Sequence, residues 1–572
     1  MRRPRRRSSL LALILALALT ASACAGGGGR STVPDGDAGI APSAADNDIN
    51  ATERDQLQEG GVLRWPLSEL PPNFNTHSLD GALGDNAAVM GALLLSPFDF
   101  DAAAQPHLNE DFVQSAELTA TEPQQVVTYR INPDAMWHDG TPVTVADFEA
   151  QWRALNGTDP AFKVVSTQGY DKIENVVPGS DEREVVVTFT EDYVDWRELF
   201  SALYPAATNR DPATFNDGWR DGPLTTAGPF KFESLDRTAQ TITLVRNERW
   251  WGSPAKLDRL IYRVIDPDAQ IDALANGEID FIDVGSDVNK LERARTTPGI
   301  ELRRAAGPNF THVTLNGTSE VLSDLEVRRA LALAIDRETI ARAFLGPLDV
   351  PVESLDNHIF MRNQRGYRDN TGDLGTYAPD RAESMLDAAG WEHAGAVRAK
   401  NGRELAIRFV IPSQAATSGQ LAELVQGMLQ RVGVRVDIEA VPVGDFFERY
   451  ITPGNFDMTT FAWLGTVFPI SSSRSIYAQP AVGENGELDV QQNYARAGSD
   501  QIDRLFAEAT SEFDEERAIE LGNRIDALIW QVVHSLTLYQ RPEIAATRAD
   551  LANFGAFGFA SGVYEDIGFA LR

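Results

Sequence analysis

Cysteine is almost missing: the 572-residue chain has one. That excludes a disulfide within the chain and a zinc site built from several thiolates at short spacing. Basic residues are scarce beside acidic ones, 51 Lys+Arg against 83 Asp+Glu, for a formal charge of −32. Binding a polyanion needs a basic face, so a nucleic-acid partner is not expected. The seven histidines, His77, His107, His138, His312, His358, His393 and His534, show no i, i+4 pairing, so a local zinc motif is absent. Also lacking are a Gly-x-Ser-x-Gly elbow, a His-Glu-x-x-His string and a Gly-rich Lys-Ser/Thr phosphate loop. An enzyme is therefore not expected, and neither is a cofactor or a resident metal. Long apolar runs are missing as well. The one near the start, Leu10–Thr20, has 11 residues, where a helix crossing a bilayer needs roughly 20.

What is present begins at the N-terminus. Residues 1–9 carry five arginines and no acid, the apolar run follows, and small residues Ala21, Ser22 and Ala23 precede Cys24, the sole cysteine. A basic segment, an apolar segment and small residues before a cut site describe a secretory signal over residues 1–23. Small residues directly before a cysteine resemble a bacterial lipobox, which implies cleavage before Cys24 and lipidation of its thiol. The alternative is an ordinary A-x-A cleavage site, which Ala21-Ser22-Ala23 also fits. Setting aside the five arginines of the signal takes the formal charge from −32 to −37. Residues 24–60 are rich in Gly, Ala, Asp and Ser with few large apolar side chains. Such a stretch cannot offset its ordering entropy by burial, so it reads as a flexible tether.

From Gly61 onward strands and helices intermix, which argues an α/β body in more than one lobe. Val185–Val187 with Phe189, and Ile242–Val245, read as strands; Leu405, Ile407 and Phe409, and then Val434, Val436 and Ile438, alternate as half-buried strands do. Thr144-Val145-Ala146-Asp147 and Ser323-Asp324-Leu325-Glu326 match capping boxes opening helices. Pro379 suits a first helical turn. The 3–4 spacing of Leu421, Leu424, Val425, Met428 and Leu429 predicts a helix stopped by Gly433, and Ala518 to Val532 predicts another.

The most specific string is Trp137-His138-Asp139-Gly140-Thr141-Pro142-Val143-Thr144, running to Asp147-Phe148. Physically it is a strand end, an Asp-Gly turn and a capped helix, and His138 next to Asp139 is a weak sign of acid–base work because neighbours on a strand face opposite ways. The string resembles a signature of family 5 extracellular solute-binding proteins, the peptide- and nickel-binding receptors of ABC importers. Further segments follow in the family's order: Ala227-Gly228-Pro229-Phe230, Arg246-Asn247 to Trp250-Trp251-Gly252, Leu274 to Asp280, Ser323 to Arg337, and Tyr377 to Gly390. The resemblance covers residues 61–572.

That resemblance implies a two-lobe, type II periplasmic-binding-protein-like fold of the large peptide-binding class. Lobe I would hold residues 61–308, with an inserted subdomain at about 80–215, and residues 540–572. Lobe II would hold residues 309–539, with crossings near Gly307–Thr311 and Leu538–Pro542. The ligand would lie between the lobes, and closure would bury it. In the family's peptide binders a Trp-x-Gly-Asp-like loop holds the peptide amino group. Here the matching segment is Trp463-Leu464-Gly465-Thr466-Val467-Phe468, so a neutral hydroxyl stands where the acid is expected. Trp463 and Phe468 are candidates to stack on a ligand, with a core aromatic as the alternative for Trp463, and the Gly465 backbone is a candidate for close approach. Asn493, Tyr494, Asn75 and Asn316 are further candidates for lining the cleft. The implied function is a lipid-anchored, monomeric receptor that hands a peptide-like ligand to an ABC permease. The alternative is a regulatory lipoprotein of the same fold, acting in phosphatidylinositol mannoside and lipoarabinomannan synthesis.

Overall fold

The computed structural model describes residues 47–413, 415–482 and 488–571. Cys24 and the signal segment lie outside the described residues.

Three sheets organise the body. The first is four-stranded, in the order Val62–Leu67, Arg259–Val264, Thr241–Arg246, Phe230–Asp236. Its inward side chains Leu63, Leu260, Tyr262, Ile242 and Leu244 are buried. A second four-stranded antiparallel sheet falls between these strands in sequence: Val113–Ala120, Val126–Ile131, Glu184–Phe189, Ile173–Pro178. Val185, Val187 and Phe189 are buried there and alternate with partly exposed neighbours, the period-2 pattern of a half-buried strand. Helix Val145–Leu155 covers this sheet through Phe148 and Leu155. It opens with a capping box, in which the Asp147 carboxylate accepts from the Thr144 N–H at 2.8 Å. His138 is architectural: its ring bonds the Thr226 hydroxyl and the Gly228 carbonyl, and burial pushes its pKa down to about 4.

The third sheet is six-stranded, in the order Phe281–Asp283, Ser535–Arg548, Ile300–Leu315, Met458–Leu464, Ala406–Pro412, Arg435–Val441. The two long strands, Ile300–Leu315 and Ser535–Arg548, pair antiparallel along their length. One half of the pair joins a core with Ile271, Leu274 and Ile282 through Ile544 and Ala546. The other half supplies Val313, Leu315, Leu536 and Leu538 to the largest core, beneath helices Leu325–Ala334 and Ala416–Arg431. Between the halves the register shifts, from Ala306 to Phe310 and again from Thr311 to His312. Gly307 sits in the first shift, where an added Cβ would come 2.8 Å from the Arg541 carbonyl oxygen, so only glycine lets the two backbones run this close. The body is thus the α/β, two-lobe fold expected of the peptide-binding class.

Two local expectations are corrected. The helix Leu325–Ala334 is capped by Asp324, which accepts from the Glu326 N–H, rather than by Ser323. The tether expected to reach residue 60 is, from Asn47 on, fastened to the body. Asp48 pairs with Ala556 and Leu57 with Ala570, and Leu57 is buried. Asn50 and Thr52 add bonds to Leu551 and Asn553. A polar stretch is held here by backbone pairing, which leaves little trace in composition.

Candidate functional site

Period-2 alternation along Met458–Leu464 puts Phe461 and Trp463 on one face. Trp463 stacks on Tyr494, with ring centroids 5.9 Å apart and 5° between planes, and on His312 at 5.8 Å and 11°. Phe461 meets it edge-on at 5.0 Å. His312 is fully buried, and burial pushes its pKa down to about 3, so the ring is neutral and serves as an aromatic plate. Trp463 also lines a cavity of about 240 Å³ with Phe310, Met361, Gly465, Thr466 and Gln492. It is therefore both a packed aromatic and a wall.

The turn after the strand is fixed from within. The Gly465 N–H donates to the Pro308 carbonyl at 2.8 Å, and an added Cβ would meet that same oxygen at 2.7 Å. The close approach that needs glycine at 465 is thus to Pro308. The Thr466 hydroxyl bonds Ser472 at 2.8 Å, and its carbonyl accepts from the Gln364 amide. Among the described residues no carboxylate lines the cavity beside it. Phe468 leads into helix Pro469–Tyr477 and meets Phe100 edge-on at 5.6 Å.

That ring pair is part of a seam. The Asn363 amide donates to the Ala102 carbonyl at 2.8 Å, and Asp195 lies beside the Ser471 hydroxyl, with burial pushing its carboxyl up to about 6. In the seam is a cavity of about 460 Å³, with residues 103–106, 118 and 194–197 on one wall and residues 360, 364–366, 467–471 and several between 509 and 519 on the other. Phe468, Asp195 and Arg197 all line it.

Three expected cleft residues are spent elsewhere. Asn75 is buried, donates to the Phe215 carbonyl and accepts from the His77 N–H. Asn316 donates to Gly454 and Phe456 carbonyls and accepts from Thr318. Asn493 donates to the Ala478 and Ala497 carbonyls and meets the buried His534 ring through its oxygen. Each holds a turn, because a buried amide must bond and the nearest partners are backbone groups. Sequence reasoning in turn missed Phe100, Asp195, Arg197, Met361 and Gln364. None stands in a repeating pattern, and the fold alone brings them to the seam.

One backbone edge beside Trp463 is open. Hydrogen-bonded pairs alternate along an antiparallel ladder. Given the Gly465–Pro308 bond and the register Trp463 to Phe310 and Phe461 to His312, the N–H and C=O groups of Ala462 and Leu464 point away from that neighbour. On their other side the strand Ala406–Pro412 pairs only at Phe409–Met458 and Val410–Thr459. Leu464 is 64% exposed. Among the described residues no strand covers this edge.

Comparison with known proteins agrees with this architecture. Residues 104–485 match the model of bacterial extracellular solute-binding proteins, family 5 Middle. The chain is 42% identical over 530 residues to the oligopeptide-binding protein OppA of Mycobacterium tuberculosis (strain H37Rv), covering 92% of this chain and 88% of that protein. It is 26% identical over 402 residues to the probable monoacyl phosphatidylinositol tetramannoside-binding protein LpqW of the same strain, covering 65% of this chain and 63% of that one. Among solved structures, the periplasmic EDTA-binding protein EppA superposes with a TM-score of 0.82 at 26% identity, covering 92% of this chain and 99% of that one. This is a family of binding proteins and not of enzymes. Residues 47–571, their two lobes and the family's motifs in order lead to one conclusion: the chain belongs to family 5 of the bacterial extracellular solute-binding proteins.

Proposed function

We propose that the protein is a lipid-anchored extracytoplasmic receptor that captures a peptide-like ligand between its two lobes and delivers it to an ABC importer. The observation that carries this reading is the open backbone edge at Ala462 and Leu464 beside Trp463. An extended peptide can add to such an edge by main-chain hydrogen bonds, which accept any side-chain sequence, while neighbouring pockets take the side chains. The two cavities, about 240 Å³ and 460 Å³, flank the Thr466–Ser471 segment directly after that edge. The similarity to OppA over most of both chains supports a peptide over other solutes. Trp463, Thr466, Phe468 and Tyr494 are the side chains proposed to face the ligand, and Gly465, its N–H turned to Pro308, shapes the cavity wall between them. Residues 309–539 would close on the rest about the two long strands, and the ligand would shift the population toward the closed form. Cys24 would carry the lipid. Among the described residues no helix is long and apolar enough to cross a membrane.

The experiment is a thermal-shift titration of the purified chain with pools of short peptides. A ligand at 100 times its Kd stabilises the fold by about 2.7 kcal/mol. The reading requires a concentration-dependent rise of the midpoint, and no rise with millimolar pools would overturn it. The second reading, a regulatory lipoprotein of envelope glycolipid synthesis, is favoured by Thr466 in the acid's place and by the similarity to LpqW. It requires stabilisation by a mannosylated phosphatidylinositol and none by the peptide pools.

A further inference from the structure

The cavity between the lobes holds a guanidinium that the protein leaves without a partner. Arg197 lies in the short turn Trp196–Glu198, and its Cζ sits 4.4 Å from the centre of the Trp196 ring and 5.9 Å from that of Phe98. Stacking fixes the plane of an arginine and leaves the N–H groups on its rim free to donate. No oxygen of the described residues accepts from those groups. Asp195 and Glu515 act on Arg197 through space, yet neither forms an ion pair with it.

The other arginine and both glutamates of the cavity wall are paired. Arg365 is held by Glu515 at 2.8 Å and by Glu516, and Glu512 bonds Arg517 at 2.7 Å. Asp195 rests against the Ser471 hydroxyl. Most of the remaining lining is small or apolar, including Ala103, Leu118, Val467, Phe468 and Ile470. A partly buried guanidinium with no protein acceptor gives up part of its hydration, and a group entering the cavity that supplies an acceptor recovers it. A carboxylate fits that need best, because its two oxygens match the guanidinium fork.

We infer that Arg197 anchors a carboxylate of the bound solute, and, resting on the peptide reading above, that this is the free C-terminal carboxylate of a short peptide whose last side chain is small or apolar. The inserted part of the molecule thereby selects the carboxylate end of the ligand. The segment after Trp463, lined by neutral groups, takes an uncharged part.

The test uses the full-length protein in detergent and two probes: a pool of random pentapeptides with free C-termini, and the same pool amidated. The concentration giving half the maximal thermal shift is compared for the wild type, Arg197→Met and Arg197→Lys. Methionine keeps an apolar stem over Trp196 and removes the charge. The expected result is a preference of the wild type for the acid pool by about 10- to 100-fold, as a charge-assisted hydrogen-bonded pair supplies. Arg197→Met should lose that preference while binding the amide pool within about twofold of wild type, and Arg197→Lys should restore part of it. Equal binding of both pools by the wild type overturns the inference. So does an equal loss for both pools in Arg197→Met, which would mark a packing role; circular dichroism and the lysine variant separate that from misfolding. If the wild type binds neither pool, the peptide reading itself falls and this inference with it.

Discussion

Trp463→Ala separates the two roles that the geometry gives this side chain. Trp463 makes three ring contacts, with Tyr494, His312 and Phe461, and such pairs contribute about 0.5–1.5 kcal/mol each. Truncating a fully buried tryptophan costs about 3–5 kcal/mol. Trp463 is only half-buried and already borders a cavity of about 240 Å³, so its removal extends an existing space and the expected loss is about 2 kcal/mol. A domain's total stability is about 5–15 kcal/mol, so the variant should still fold. Binding should suffer separately, because losing an aromatic wall of a ligand pocket costs about 2 kcal/mol, or roughly 30-fold in Kd. Urea unfolding measures the first quantity and isothermal titration with a peptide pool the second, on one preparation checked by circular dichroism. Trp463→Phe should recover most of the stability and part of the affinity. An affinity unchanged within twofold, beside the loss of stability, would show that Trp463 is packing alone and would refute its place in the ligand site.

Other outcomes are expected on the same grounds. Asn493→Ala strands the Ala478 and Ala497 carbonyls and the His534 ring, costing about 1–3 kcal/mol per unpaired buried group; urea unfolding should show it, while the peptide affinity of the folded fraction stays unchanged. Asp195 has its pKa raised to about 6 by burial, above its unfolded value, so its contribution to stability is full below about pH 4 and is lost as pH rises through about 6. Asp195→Asn should therefore flatten the fall in thermal midpoint between pH 4 and 7, and identical slopes for variant and wild type would contradict this. Cys24→Ser should move the protein from the detergent-rich to the aqueous phase in a partition assay; retention in the detergent phase would rule out a lipid on that thiol.

The regular elements were legible because their signals are local. Alternation at Val185–Phe189 and at Leu405–Phe409, the Thr144–Asp147 box and the proline at 379 each report a structure formed within a few residues. The strand end at Trp463 and the turn after it were legible through a motif. Polar candidates were not. Asn75, Asn316 and Asn493 look the same in sequence whether an amide bonds a ligand or its own turn, and here the turns take them. Arg197 was invisible for the opposite reason. Its importance comes from what fails to reach it, and only the assembled wall shows which neighbouring charges are already paired. The buried segment around Leu57 escaped because one leucine in a polar stretch carries no periodicity.

The paired long strands also bear on how the molecule is made. Ser535–Arg548 occupies an inner place in the six-stranded sheet, between Phe281–Asp283 and Ile300–Leu315, and contributes to two cores. Its partners leave the ribosome long before it does. Until it arrives, Ile300–Leu315 lacks one neighbour along its whole length, so neither core can be completed by the part of the chain already synthesised. Pairing across such a separation is slow because the intervening loop must close first. The core built from residues 95–250 takes nothing from this strand and needs no such wait, whereas the two cores around the long pair are completed only by the last long strand.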